Sequence, residues 1–224
     1  MELFKPRFVS PEKLINWGDE KVFKREEWVD PTTIYGDDLT IFNAPIMYYG
    51  FNRIMNLHQP RHSVAFVSLC TKTRPYYNSR KWATFIKEFG GHAEFIVASN
   101  AGIIPFEFWD SYPYTVYEGE HKKEHDLTYI STFFNRFQVF FEKQKYEKII
   151  FNFRPSLRDR ISAQNFKDRN PDKNVVILPT KETYNQIKSE GFPAGKMFPD
   201  LDPRVLKEIK DELGVVDKPK GFGF

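Results

Sequence analysis

A single thiol stands where a strand gives way to a helix. The segment Leu69-Cys70-Thr71-Lys72-Thr73-Arg74-Pro75-Tyr76-Tyr77-Asn78-Ser79-Arg80-Lys81-Trp82 surrounds Cys70 with the hydroxyls of Thr71, Thr73 and Ser79. It also supplies four cations, Lys72, Arg74, Arg80 and Lys81. Cations and the free N–H groups of a helix start stabilise a thiolate, the form of cysteine that attacks carbon. A nucleophilic Cys70, ionised near neutral pH, is therefore expected. The same N–H groups attract anions, and the cations add charge-assisted donors. The alternative for Cys70 is a small apolar residue closing a strand. For the cations it is a solvated helix face.

A second candidate is Glu107, inside the apolar run Ile103-Ile104-Pro105-Phe106-Glu107-Phe108-Trp109. A carboxyl in such surroundings has a raised pKa and can move protons. Alternatively it bonds the backbone of its own loop. Arg154, Arg158, Arg160, Lys167, Arg169 and Lys173 form a basic run suited to phosphates, diluted by Asp159, Asp168 and Asp172. Tyr76, Tyr77, Trp82, Phe108 and Trp109 are rings that stack on a base if exposed, or fill the core if not. His121 and His125 have the spacing of two ligands on one helix face, but no third ligand accompanies them, and no metal is expected. His58 and His62 are equally weak. No glycine-rich nucleotide loop is present, and no cofactor is expected.

The elements that must position these residues begin at residue 63. Short β-branched or apolar runs predict strands at 63–69, 94–98, 114–117, 148–153 and 174–178. Ser79 is placed to cap a helix that Gly90-Gly91 stops. The clearest helix is 124–143, where Leu127, Ile130, Phe134, Phe137 and Phe141 make one apolar stripe. Further helices are expected at 156–167, 180–190 and 203–213. Alternation of strand and helix implies a mostly parallel sheet covered on both faces, an α/β three-layer sandwich. In such sheets ligands bind beyond the carboxyl ends of the strands. That rule selects the loops after Leu69, Ala98, Phe153 and Leu178, and with them Cys70, Ser99, Asn100 and Arg154.

Residues 1–60 hold scattered aromatics and turn signals, with a short strand expected at 39–42. They read as an irregular extension packed on a single domain of residues 61–215, followed by a tail, 216–224. Across the 224 residues, 33 Lys and Arg against 30 Asp and Glu leave a net charge of +3. That is too small to announce nucleic acid by itself. One cysteine excludes a disulfide framework or a cysteine zinc site. No apolar run has the length of a membrane span, so a cytoplasmic protein with no membrane partner is expected.

The spacing of Cys70, Arg74-Pro75-Tyr76 and Ser79 resembles a motif of archaeosine synthase, an archaeal tRNA-modifying family related to tRNA-guanine transglycosylase. The motif reads Pro-Cys, three residues, Lys-Pro-Tyr, two residues, Ser, two residues, His. Here Leu69, Arg74 and Trp82 stand for its Pro, Lys and His. The stretch Ser99-Asn100-Ala101-Gly102-Ile103-Ile104-Pro105-Phe106-Glu107 is similar to the family's Ser-Pro-x-Gly-x-Val-Pro-Arg-Glu. Tyr112-Pro113 and Tyr117 follow it in order. The likeness covers residues 60–155. It implies a fold similar to uracil-DNA glycosylase and a role in tRNA modification at a deazaguanine-type base. It also implies a set of roles: Cys70 as nucleophile, Glu107 as acid/base and Ser79 beside them. Arg74, Pro75, Tyr76, Ser99, Asn100 and Arg154 would bind substrate. The chain has no room for the family's barrel and RNA-binding domains, so a protein partner that supplies tRNA binding is expected. The alternative from another class is a non-catalytic nucleic-acid or nucleotide-binding module, or an accessory subunit.

Overall fold

The computed structural model describes residues 34–37, 41–111, 114, 117–120, 127–155, 158–191 and 199–216. Five strands make the central sheet: β2 (Val64–Leu69), β3 (Glu94–Ser99), β4 (Gly102–Pro105), β6 (Lys148–Asn152) and β7 (Asn174–Leu178). A separate parallel pair joins β1 (Ile34–Asp37) to β5 (Tyr117–Glu120). The central order is β4-β3-β2-β6-β7, parallel except for β4. The helices are α1 (Pro45–Leu57), α2 (Arg80–Phe89), α3 (Leu127–Lys143), α4 (Arg158–Arg169), α5 (Lys181–Ser189) and α6 (Pro203–Leu213).

The strands form because their residues are apolar on both faces. All six residues of β3 are buried, as are four of six in β2. Successive side chains point to opposite faces, so each strand presents rings or aliphatic groups to two layers at once. On one face Phe66 meets Phe85 of α2, with ring centroids 5.1 Å apart. On the other, Phe151 meets Phe137 of α3 at 5.0 Å, and Phe141 meets Phe166 of α4 at 5.6 Å. A three-layer α/β sandwich with a mostly parallel sheet results.

The strand at 102–105 escapes a sequence reading because it adds no turn signal beyond Gly102. The Ser99 hydroxyl accepts from the Ala101 N–H at 3.0 Å, and Gly102 takes φ 123°. Only glycine holds that backbone without strain. So tight a reversal forces β4 to run antiparallel to β3. The strand expected at 114–117 begins instead at Tyr117, and it pairs with β1 rather than the central sheet.

Residues 41–57 also differ from expectation. Ile41 and Phe42 are helical, not extended. Helix α1 buries Met47, Phe51 and Ile54 in the same core as the sheet. Pro45 opens it, where a missing N–H costs nothing. Among the described residues the core thus includes Ile41 onward. Residues 1–33 and 217–224, like His121 and His125, lie outside the described residues.

Phe137 is fully buried against Phe133, Phe151 and Phe153. Phe137→Ala should cost about 3–5 kcal/mol of stability, read as a lowered denaturant midpoint at unchanged slope.

Candidate functional site

Strand β2 lies at the centre of the sheet, and Cys70 follows its last residue. The Cys70 N–H donates to the Ala98 carbonyl at 3.0 Å, which holds the thiol at the carboxyl edge. Tyr76 is wholly buried in the short helical turn Tyr76–Asn78, and its hydroxyl lies 2.8 Å from that of Tyr117. Tyr117 in turn interacts electrostatically with the side chains of Cys70 and Ser99. The Arg74 guanidinium carbon sits 3.9 Å from the centre of the Tyr117 ring. Pro75 and Asn100 are buried close by in sequence, Asn100 in the turn after β3. The structure therefore gathers Cys70, Arg74, Tyr76, Ser99 and Tyr117 around one point. In sequence Tyr117 stands out only as a match to a motif, although it is the residue that joins the others.

Burial raises the pKa of the Cys70 thiol, and the positive charges of Arg74 and Lys81 only partly offset that. This corrects the expectation of a thiolate at rest. Cys70 is only partly buried, but desolvation by the surrounding groups outweighs the two cations. Burial and the neighbouring Cys70 likewise push Tyr76 up to about 12, and raise Tyr117 well above the ordinary phenol value. Both phenols are donors at neutral pH.

Behind the thiol lies a buried ionic group. Lys81, from the first turn of α2, is 3% exposed. Its Nζ donates to the Leu69 carbonyl at 2.7 Å and to Ser68 Oγ at 3.3 Å. Asp200 lies 3.6 Å from Nζ, and its other oxygen lies 3.6 Å from Arg154 Nε. Arg154 thus stands at the expected edge, facing Asp200. In sequence Lys81 is one cation among four, and Asp200 does not stand out.

Two expected catalytic residues take other roles. Ser79 is buried, donates to the Tyr76 carbonyl at 2.7 Å and accepts from the Trp82 N–H at 3.3 Å. It caps α2. Glu107 does not meet Cys70 at all. Because β4 reverses direction, Glu107 emerges at the amino-terminal edge of the sheet. There its Oε1 lies 2.5 Å from Nδ1 of the buried His58, whose Nε2 lies 2.7 Å from the Tyr146 hydroxyl. This chain of three joins α1, β4 and the entry to β6.

The rings expected to stack on a base are mostly core. Tyr76, Trp82, Phe108 and Trp109 are buried, and Trp82 packs on Trp109 at 4.7 Å. Trp82, standing where the family motif has His, is thus part of the α2 layer. The basic run is also partly internal. Arg160 donates to the carbonyls of Phe153 at 2.6 Å and Pro179 at 2.9 Å. Arg158 and Arg169 lie over the rings of Tyr129 and Phe134. Among the described residues no group of three or more His, Cys, Asp or Glu is arranged to hold a metal ion. Among them, too, no helix is long and apolar enough to cross a membrane.

Two measurements follow from this environment. At pH 7 native Cys70 should react with iodoacetamide more slowly than a free model thiol, and accelerate as pH rises past 9; a faster reaction at pH 7 would show a resting thiolate. The phenols of Tyr76 and Tyr117 ionise near pH 10 when unfolded, and only at higher pH when folded. The Tyr76 contribution to stability is complete below pH values of about 10 and is lost as pH rises through about 12. Denaturant midpoints should fall over that window, and Tyr76→Phe should flatten the fall.

Residues 47–189 match the model of DUF5591, a domain of unknown function. No curated protein matches the chain. Among solved structures the chain is similar to AF0587, a protein of unknown function. The two share 19% identity over 72% of this chain and 55% of that one, with a TM-score of 0.48. The chain thus spans about half the length of that protein. With most of its length matched, and with the match running from α1 through α5, the chain belongs to the DUF5591 family.

Proposed function

We propose that this protein acts in tRNA modification, at a deazaguanine-type base that carries a nitrile, with Cys70 as the nucleophile. One observation carries the reading. The residues of two separate sequence stretches, Cys70, Arg74 and Tyr76 from one and Ser99 and Tyr117 from the other, meet at the carboxyl edge of the sheet. Their resemblance to archaeosine synthase is the reason to assign that meeting point to nitrile chemistry. The Cys70 thiolate would add to the nitrile carbon. A C–S bond forms, one C≡N π pair moves to nitrogen, and nitrogen takes a proton. An amine donor then adds to the same carbon, and the thiol leaves to give an amidine. Tyr117 and Tyr76 supply hydroxyl donors beside the sulfur, and Arg74 a fixed positive charge. A partner protein would bring the tRNA.

A second reading is a non-catalytic nucleotide-binding module. It is favoured by the raised pKa of the Cys70 thiol and by the buried Trp82 in place of the family His.

Mass spectrometry of tRNA nucleosides separates the two. In cells lacking the gene, the cyano-deazaguanine nucleoside should accumulate and the amidine product fall. Wild-type protein should restore the product, and Cys70→Ser should not. Full restoration by Cys70→Ser would leave the binding module as the better account.

A further inference from the structure

We infer that Asn152 is the residue that reads the substrate's base, forming with Arg154 a recognition edge for an oxopurine or its deaza counterpart beside Cys70. This role rests on the reading of the carboxyl edge as a nucleobase site and names the groups that select the base.

Asn152 is 1% exposed, yet neither its carboxamide oxygen nor its nitrogen has a hydrogen-bond partner among the described residues. A buried amide open at both ends is rare in a folded protein, because each open end carries a desolvation cost that nothing offsets. Its neighbours on the sheet cannot close it. The Ser68 hydroxyl, directly across on β2, donates its proton to the Asn152 main-chain carbonyl at 3.3 Å and accepts from Lys81 Nζ at 3.3 Å. Leu178, across on β7, and Ile150, two residues earlier, are apolar.

The direction of the amide follows from the pleat. Phe151 and Phe153 turn to α3, so Asn152 and Arg154 turn to the other face. Phe66 on β2 marks that face as the one under α2, and Ser68 and Cys70 follow it at alternate positions. Two residues of strand and one strand spacing put the α-carbons of Cys70 and Asn152 about 8 Å apart, a gap that one bicyclic base bridges. Arg154 adds a third open group. Its Nε stands 3.6 Å from Asp200 and has no hydrogen-bond partner among the described residues, while the side chain as a whole is 32% exposed. The open atoms therefore run from the solvent rim inward to the amide.

The open set is one acceptor, Asn152 Oδ1, and two donors, Asn152 Nδ2 and Arg154 Nε. The edge of an oxopurine is its complement. N1–H donates to Oδ1 and O6 accepts from Nδ2, two parallel bonds in one plane, and the next acceptor along the edge faces Arg154. In guanine that acceptor is N7, and in cyano-deazaguanine it is the nitrile nitrogen. An amide turned over also pairs with adenine, but adenine carries an amine where guanine has O6, and the amine N–H would point at the guanidinium. The fixed positive charge of Arg154 thus decides for the oxo base.

Calorimetric titration of the full chain with GMP, AMP and cyano-deazaguanine tests this. The wild type should bind GMP and the cyano base, and GMP about tenfold or more tightly than AMP; sugar and phosphate are common to both nucleotides, so the ratio reads the base edge alone. Asn152→Leu keeps the shape and removes both open groups. It should weaken GMP binding about tenfold or more, with a denaturant midpoint unchanged or higher, because an amide without partners stabilises nothing in the free protein. Asn152→Asp exchanges the Nδ2 donor for an acceptor and should erase the preference for GMP. Should Asn152→Leu fail to fold, Asn152→Asp and the wild-type ratio still decide. Equal affinity of the wild type for GMP and AMP, or unchanged GMP binding in a folded Asn152→Leu, overturns the inference. If the preference depends on Asn152 while Cys70→Ser fully restores tRNA modification in cells, the base-reading edge stands and the thiol chemistry falls. If Cys70→Ser abolishes the modification while the wild type binds none of the three compounds, the reverse holds.

Discussion

Phenylalanine rings filling both faces of the sheet are the constraint on which the rest of the molecule depends. Phe66 points to α2, and Phe151 and Phe153 point to α3 and α4. Edge-to-face contacts such as Phe66 with Phe85 and Phe141 with Phe151 recur through both layers. Each such pair adds a little beyond the area it buries, and the burial itself drives folding. A sheet dry on both sides has only its edges left for polar chemistry.

That dryness reaches the carboxyl edge and alters the thiol, the amine and two phenols there. Cys70 is raised, Lys81 lowered, and Tyr76 and Tyr117 raised, each chiefly by burial. The same loss of water makes neighbouring charges count for more. Asp200 between Lys81 and Arg154 is the response: a carboxylate placed where two cations would otherwise repel. Structure and chemistry are thus set by one cause. The rings that stabilise the fold also create the low-dielectric rim in which the thiol and the amine sit.

The opposite edge shows the same principle with another outcome. His58 is buried beside Phe140, stacked at 5.7 Å, and satisfies both ring nitrogens through Glu107 and Tyr146. A buried polar group must find partners, and this one finds them on three separate elements. Glu107 therefore ties the fold together, at the end of the sheet away from the thiol.

Much of the fold is legible in the residues alone. The apolar runs at 64–69, 148–152 and 174–178 and the stripe from Leu127 to Phe141 predict their strands and helix because burial on one or two faces leaves a period in the sequence. Ser79 and Thr180 announce helix starts because a cap needs a side-chain oxygen at one position. Cys70 and Arg154 are traceable to the carboxyl edge for the same local reason: each follows a strand. What tertiary structure alone decided is which residues meet. Whether β4 returns antiparallel depends on a four-residue turn, and that turn carries Glu107 to the far edge. Lys81 reads as a surface cation until α2 is laid on the sheet, and Asp200 has no meaning until it arrives from 119 positions further along. Charge and spacing are local properties of a chain. Desolvation belongs to the packed molecule, and here it sets the state of the thiol.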